Sequence, residues 1–164
     1  MTTIYLSLGA NLGNREQTIN KALQRLAETP GIKLLTCSAF YETAPWGKTD
    51  QPPFINAAVK ISTELTMNDL LTKTQQIETE LGRERHEHWG ARTIDIDLLF
   101  SPDQNIRTPE LTLPHPYIKE RNFVLIPLQE IAPTELLDGR TVTEWLAVCP
   151  DKGKVDKKEV QCLK

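Results

Sequence analysis

Residues 89–100 read WGARTIDIDLLF, and the last seven predict a β-strand that carries two carboxylates. The apolar residues around Asp95 and Asp97 have strong strand propensity. Because side chains alternate across a strand, this stretch divides into an open face and a buried face. The open face is predicted to carry Thr93, Asp95, Asp97 and Leu99, and the buried face Ile94, Ile96, Leu98 and Phe100.

The elements before this strand predict an α+β fold. Alternating apolar residues at 4–8 indicate a first strand, and Asn14 is placed to cap a helix whose apolar stripe runs to Ala27. Strands are predicted over 33–42 and 54–61. A second helix is predicted to open at Thr66, paired with Asp69 as its N-terminal cap, and Gly82 is placed to cap its C-terminus. The order strand, helix, strand, strand, helix, strand is typical of the ferredoxin-like split βαβ sandwich, an antiparallel sheet with helices packed on one face.

The C-terminal part of the chain is Pro-rich and predicts extra elements beyond this sandwich. Short helices are expected over 121–128 and 141–149. The polar tail, about 151–164, is predicted to be a solvated appendage. The length of 164 residues fits one domain, 1–164.

Composition excludes several function classes. The formal net charge of −3 argues against a nucleic-acid binder that relies on a basic surface. No apolar run has the length of a membrane span, and the N-terminus does not resemble a secretory signal. Cys37, Cys149 and Cys162 have no metal-ligand spacing, so we expect reduced thiols in a cytoplasmic protein. We also expect a monomer.

The carboxylate pair has two interpretations. Asp95 and Asp97 are ordinary polar positions if the open face is simply solvated, which is the commoner case for an isolated pair of this kind. Two carboxylates side by side also suit Mg²⁺, which takes carboxylate oxygens together with substrate phosphates and water. A pair can hold two ions about 3.5 to 4 Å apart, the spacing used in phosphoryl displacement.

Cationic residues close to the pair favour the phosphate interpretation. Arg83 and Arg92 lie in the segment before the strand, and Arg121 follows later. Arginine forks bind phosphate oxygens in bidentate geometry, although each of these residues could instead pair with a nearby glutamate. No P-loop or protein-kinase signature is present. His115 lies between two prolines and suits either a phosphate donor or a structural imidazole.

An aromatic slot is the third candidate feature. Phe54 and Asn56 fall on the face of their strand opposite to Ile55 and Ala57. A ring beside an amide suits a planar heterocycle, because the ring stacks on it and the amide reads its edge. Phe123 could form the opposite wall. The alternative is that both rings pack under loops.

Several ordered motifs follow one another along the chain: YLSLGANLGN, FYETAPWG, QPPFINAAV, GRERHEHWGARTIDIDLLF and LPHPYIKERNFVLIPLQEIAP. Together they resemble the 6-hydroxymethyl-7,8-dihydropterin pyrophosphokinases of folate biosynthesis, and the resemblance extends to about Cys149. It implies transfer of pyrophosphate from ATP to the hydroxymethyl group of the pterin, with release of AMP. Two Mg²⁺ ions are the implied cofactors.

The resemblance also implies a role for each matching residue. Asp95 and Asp97 match the magnesium ligands, and Arg83 and Arg92 are expected to act with them in catalysis. The pterin pocket matches Thr43, Ala44, Pro45, Trp46, Phe54, Asn56 and Phe123. The ATP site matches Gln75, Glu78, Arg83, Trp89, Arg92, Leu98, Leu111, Thr112, His115 and Arg121.

The sequence departs from the family pattern at four places, and at one of them the aromatic after His115, Tyr117, is shifted by one position relative to some family members, so no nucleotide contact is expected there. Phe54 stands where Tyr is frequent, His88 stands where Arg is frequent, and Ala91 replaces a Pro. Two other functions are alternatives: a small nucleotidyltransferase that uses the same aspartates, and a non-catalytic module that binds a small ligand on its sheet. The regulatory module leaves the aspartates and arginines unexplained, and the identity of the released product separates the two enzymes.

Overall fold

The computed structural model describes residues 1–11, 13–43, 53–82 and 94–161. The strands and helices of the sandwich come first in the chain. They are β1 (Thr2–Ala10), α1 (Arg15–Glu28), β2 (Ile32–Cys37), β3 (Ala39–Thr43), β4 (Phe54–Thr63), α2 (Met67–Glu80) and β5 (Asp95–Phe100). The C-terminal elements are β6 (Ile106–Arg107), β7 (Thr112–Leu113), a 3₁₀ turn (Ile118–Glu120), α3 (Asn122–Ile131), β8 (Leu136–Leu137), β9 (Arg140–Thr141), α4 (Val142–Val148) and β10 (Val155–Gln161).

The main sheet confirms the predicted topology. It is antiparallel, in the order β10-β3-β4-β1-β5, with β2 also paired to β4. The strand predicted over 33–42 is divided at Ser38, whose N–H donates to Ala58 O at 2.8 Å while its Oγ accepts from Ala58 N at 2.9 Å. With β2 and β3 counted as one broken strand, the predicted strands lie in the order second, third, first, fourth, as in a ferredoxin-like fold.

The two helices between the strands pack on one face of the sheet. Their buried residues join alternate residues of β1, β4 and β5 in one apolar cluster that includes Leu6, Leu8, Leu23, Ile55 and Leu70. The predicted caps are present: Asn14 accepts from Gln17 N, and Thr66 accepts from Asp69 N, both at 3.1 Å. This surface is called the helix face below.

The opposite face is covered at one end by the C-terminal elements. Tyr5, Ala58 and Phe100 pack there against Leu125 and Leu128 of α3 in a second cluster. The candidate site lies at the other end of this face, and the whole surface is called the open face below.

Phe100 corrects one prediction. The register passes from Leu6↔Leu98 directly to Tyr5↔Phe100, so Leu99 is an extra residue in β5. Such a bulge shifts the alternation by one place. Phe100 therefore lies on the open face, stacked on Tyr5 with ring centroids 4.9 Å apart, and its predicted place on the helix face was wrong.

The C-terminal tail corrects a second prediction. Residues 155–161 form β10, which pairs with β3 at the edge of the sheet, and are not a solvated appendage. Cys149 is buried and free, as expected. The prediction of reduced thiols was wrong for Cys37, which is disulfide-bonded, because sequence spacing does not report distance in the fold. No helix in the described ranges has the length and apolarity needed to cross a membrane.

Candidate active site

Asp95 and Asp97 lie on the open face of β5, at the edge of the sheet. Asp95 is opposite Gly9 of β1, and Asp97 is opposite Ser7. Residues two apart in a strand are about 7 Å apart at their backbones and point the same way. Asp97 is exposed and Asp95 is partly buried. The structure therefore confirms that the two carboxylates share one accessible face.

Two of the predicted pterin residues, Phe54 and Asn56, lie on the same face in β4, two strands away. Asn56 of β4 is the other partner of Gly9, so Asn56, Gly9 and Asp95 form one row across the sheet. Asn56 is 4% exposed, and its Nδ2 donates to Thr43 Oγ1 at 3.0 Å. Thr43 is paired with Phe54, whose ring is partly exposed. The open face thus combines the carboxylates with an oriented amide and an aromatic ring.

Gly9 makes this arrangement possible, although it is not among the residues predicted for the site. A Cβ on Gly9 would lie 2.8 Å from Asn56 Oδ1, closer than any relaxed contact allows. Because Gly9 has no side chain, the Asn56 amide has room beside it in the row. A glycine inside an apolar strand is a signal of such close approach.

Glu78 reaches the aspartate strand from α2. Its carboxylate is 5% exposed, and Oε2 accepts from Ile96 N at 2.7 Å. That N–H is on the edge of β5 that no strand covers among the described residues. Glu78 therefore fixes the backbone between Asp95 and Asp97.

A row of polar and aromatic side chains lies beside Asp97. His115 is docked on β5, because its N–H donates to Leu99 O at 2.6 Å. Arg121 lies between two rings, with its guanidinium carbon 5.0 Å from the centroid of Tyr117 and 5.8 Å from that of Phe123. Burial lowers the pKa of His115 below its ordinary value, the charge of Asp97 opposes this, and Arg121 adds to the lowering. His115 is therefore neutral at pH 7. Its Nδ1 accepts from Tyr117 N at 3.2 Å, so the proton is on Nε2, which is able to donate.

Tyr41 lies in the same row as Asn56 but is not a base. Burial raises its pKa far above the ordinary value, and its hydroxyl donates to Glu130 Oε1 at 2.5 Å, which raises it further. The phenol stays protonated at physiological pH and ties β3 to α3.

The remaining predicted residues fall into two groups. Leu98 and Leu111 are buried in the helix-face cluster, Gln75 is exposed on α2, and Thr112 is partly buried in β7. The structure thus places these residues around the outer edge of β5, which both α2 and β7 contact. Ala44, Pro45, Trp46, Arg83, Trp89 and Arg92 lie outside the described residues, as do His88 and Ala91.

Magnesium fits the donor set of Asp95 and Asp97 only when other ligands complete it. Within residues 1–11, 13–43, 53–82 and 94–161 no group of three or more His, Cys, Asp or Glu side chains is arranged to hold a metal ion. Mg²⁺ takes six oxygens and is commonly bound by one or two carboxylates together with substrate phosphates and water. Two accessible carboxylates fit an ion that arrives with a polyphosphate.

Comparison with protein families identifies the class. The model of the family 7,8-dihydro-6-hydroxymethylpterin-pyrophosphokinase (HPPK) matches residues 5–133. The chain belongs to the HPPK family and is a transferase.

Curated relatives cover almost the whole chain. A 2-amino-4-hydroxy-6-hydroxymethyldihydropteridine pyrophosphokinase of Methylorubrum extorquens is 48% identical over 153 residues, which is 93% of this chain and 97% of the relative. A Bacillus subtilis protein of the same name is 42% identical over 156 residues, with 93% of each chain covered.

Solved structures agree with the fold. The HPPK-DHPS protein of Plasmodium falciparum superposes on 90% of this chain with a TM-score of 0.70 at 17% identity. This chain spans only 45% of that longer protein. At this identity the superposition bears on the fold alone.

Proposed function

We propose that the chain transfers pyrophosphate from ATP to the hydroxymethyl group of 6-hydroxymethyl-7,8-dihydropterin and releases AMP, as a step of folate biosynthesis. The observation that carries the proposal is the row Asn56, Gly9, Asp95, which joins an oriented amide to a carboxylate on one face of the sheet. Membership of the HPPK family supports the choice of substrates.

The pterin would bind at the Thr43 end of the open face. The Nδ2 of Asn56 is engaged by Thr43, so Oδ1 remains to accept from an N–H on the edge of the pterin ring. The hydroxyl of Thr43 accepts from Asn56 and keeps its own proton for donation. Phe54 and Phe123, both partly exposed on this side of the sheet, would stack on opposite faces of the bicycle. Ala44, Pro45 and Trp46 would complete the pocket.

ATP would bind along the outer edge of β5. His115 interacts electrostatically with both Asp97 and Arg121. His115 and Arg121 would contact phosphate oxygens, the first as a neutral donor and the second as a fixed cation. Gln75, Leu98, Leu111 and Thr112 would surround the nucleoside, with the buried Leu98 and Leu111 offering backbone atoms. Glu78 would act through the backbone it holds. Trp89, Arg83 and Arg92 would contribute to this site, and the two arginines would stabilise charge that develops during transfer.

Asp95 and Asp97 would hold two Mg²⁺ ions that the triphosphate also binds. The ions would neutralise phosphate oxygens and lower the pKa of the attacking hydroxyl. The protein's contribution is alignment: Asn56 and the two rings fix the hydroxymethyl group, while the carboxylates and Arg121 fix the phosphate chain. Among the described residues, no side chain is placed as a general base.

The direct test measures AMP formed from ATP and Mg²⁺, with and without 6-hydroxymethyl-7,8-dihydropterin. We expect AMP and the pterin diphosphate in equal amounts, and no AMP without the pterin. Release of inorganic pyrophosphate would instead indicate a nucleotidyltransferase. Pterin binding without any turnover would indicate a regulatory module.

We further propose that residues 1–164 form a single monomeric domain in the cytoplasm that needs neither a nucleic acid nor a membrane as partner. The sheet supports the domain assignment, because β10 near the C-terminus pairs with β3 of the sandwich. Size-exclusion chromatography with light scattering would test the monomer.

A further inference from the structure

The helix that carries Phe123 is capped from a distant part of the chain. The helices α1, α2 and α4 each begin with a side-chain cap from their own N-cap residue, respectively Asn14, Thr66 and Thr141. The N-cap residue of α3, Arg121, makes no such bond. The N–H of Asn122 donates to Asp151 Oδ2 at 3.3 Å instead. A carboxylate satisfies a free N–H at this position, and the helix dipole favours its charge.

Asn122 locks the same contact from the other side. Its Nδ2 donates to Gly153 O at 2.7 Å, and Gly153 N donates to Asp151 Oδ1 at 2.9 Å. Asn122 is 5% exposed, and its Oδ1 is buried with no hydrogen-bond partner. An unpaired buried oxygen is unfavourable, so it offsets the stability gained from the bond to Gly153. The definite effect of Asn122 is therefore geometric: it fixes residues 151–153 against the start of α3.

The same segment continues to β3, the strand that carries Thr43 of the proposed pterin pocket. Residues 151–158, here called the C-terminal strap, enter β10 so that Val155 lies opposite Thr43 and Lys157 lies opposite Tyr41. Only a few residues thus separate the contact with Asn122 from the contact with the Thr43 strand. The strap lies beyond residues 5–133, the part matched by the family model.

We infer that the C-terminal strap sets the distance between the two walls of the pterin pocket, with Asp151 and Asn122 as positioning residues. This inference rests on the proposed function. Arg121 and Phe123 flank Asn122 on one wall, and Thr43 holds Asn56 on the other. A ring slot tolerates little change in width, and small displacements of a bound reactant weaken catalysis strongly.

The helix does not depend on the strap to remain docked. At the other end of α3, Glu130 accepts from Ala39 N at 3.0 Å and from the Tyr41 hydroxyl. Removing Asp151 should therefore loosen the first turn of α3 without detaching the helix. This makes a variant of Asp151 a test of position more than of folding.

The test compares Asp151→Ala with Asp103→Ala in the full chain. Asp103 is a matched control, because its Oδ2 accepts from a backbone N–H, that of Thr3 at 2.7 Å, at the far end of β1 from the site. AMP formation is measured with varied pterin at saturating ATP and Mg²⁺, and then with varied ATP. We expect Asp151→Ala to raise the pterin KM about fivefold or more while the ATP KM stays within about twofold. Asp103→Ala should change neither.

Asn122→Ala provides a second, independent arm. It should raise the pterin KM in the same direction with little change in Tm, since the lost bond and the removed unpaired oxygen offset each other. Hydrogen exchange of residues 122–125 should accelerate in Asp151→Ala and in Asn122→Ala, and not in Asp103→Ala. If Asn122→Ala fails to fold, Asp151→Ala and its control still decide.

The outcomes separate this inference from the proposed function. An unaltered chain that forms no AMP overturns both. If the unaltered chain is active and both Asp151→Ala and Asn122→Ala keep the wild-type pterin KM, the inference alone is overturned. A parallel rise of both KM values that follows the loss of Tm also overturns it, because that pattern indicates a structural role.

Discussion

The two faces of the main sheet are built from the same strands and carry opposite kinds of residue. On the helix face, Leu6 and Leu8 of β1 and Ile96 of β5 are fully or almost fully buried in an apolar cluster. One residue along each strand, Gly9 and Asp97 belong to the open face with its polar groups. Alternation in a strand therefore lets neighbouring residues serve stability and chemistry separately.

This separation implies that activity and stability respond to different substitutions. A change on the helix face should lower stability and leave the kinetic constants of the folded protein unchanged. A change at the exposed end of the open face should do the reverse. Each prediction below tests one side of this comparison.

Asp97→Ala should give the largest effect. If Asp97 binds Mg²⁺ as proposed, its loss removes several kcal/mol of transition-state stabilisation, so we expect kcat to fall about 10³-fold or more, or about 4 kcal/mol. Because Asp97 is exposed, the free energy of unfolding should stay within about 0.5 kcal/mol of the wild type. AMP formation and urea unfolding measure the two quantities.

Asp97→Asn is the isosteric control for this change. It keeps the shape of the side chain and removes the charge, so it should lose nearly as much activity as Asp97→Ala. A variant Asp97→Ala that retains more than about a tenth of the wild-type kcat would contradict the assignment of a metal ligand.

Leu23→Ala should show the opposite behaviour. Leu23 is 0% exposed in α1, and truncation of such a residue lowers the free energy of unfolding by roughly 2–5 kcal/mol. The KM values for ATP and the pterin should not change at temperatures where the variant is folded. Leu35→Ala is the matched control, since Leu35 is 42% exposed and its loss should cost less than about 0.5 kcal/mol. Altered KM values in Leu23→Ala would show that the faces are coupled.

Gly9→Ala should affect the pterin site through Asn56. The new Cβ would lie 2.8 Å from Asn56 Oδ1, so the amide must move, and we expect the pterin KM to rise about tenfold. The informative control is the same change in an Asn56→Ala background, where the contact no longer exists. Gly9→Ala should add almost nothing there. An equal effect in both backgrounds would place the cause elsewhere in β1.

The sequence was sufficient for features that depend on local pattern. The alternation of side chains along a strand placed Asp95 and Asp97 on one face. The caps Asn14 and Thr66 were recognisable because the side chain and the amide that it binds are three residues apart. The same alternation also separated Asn56 from Ile55, as the structure confirms.

Features that depend on pairing between strands were not predictable in this way. The extra residue Leu99 is defined only by the register of β5 against β1, and it reversed the expected face of Phe100. Strand β10 was missed because an edge strand needs backbone partners more than apolar alternation, and DKGKVDKKEV has almost none. The contact of Gly9 with Asn56 likewise needs the β1–β4 register.

The smallest effect is expected at α4, which contributes no predicted site residue. Glu144 and Thr141 form a capping box there, and the hydrogen bonds with Thr141, the backbone bond foremost, lower the pKa of the Glu144 carboxyl below its ordinary value of 4.5. A carboxyl whose pKa is lower in the folded state contributes stability that is fully present above the unfolded pKa and is lost as the pH falls through the folded pKa.

The variant Glu144→Gln keeps an acceptor for Thr141 N but has no charge. Its Tm should therefore be slightly below that of the wild type at about pH 7, and the difference should shrink well below pH 4.5 and in high salt. Thermal unfolding at both pH values measures this, and a difference independent of pH would show that the charge of Glu144 contributes nothing to the cap. The pterin KM should not change, because neither Thr141 nor Glu144 is among the predicted site residues.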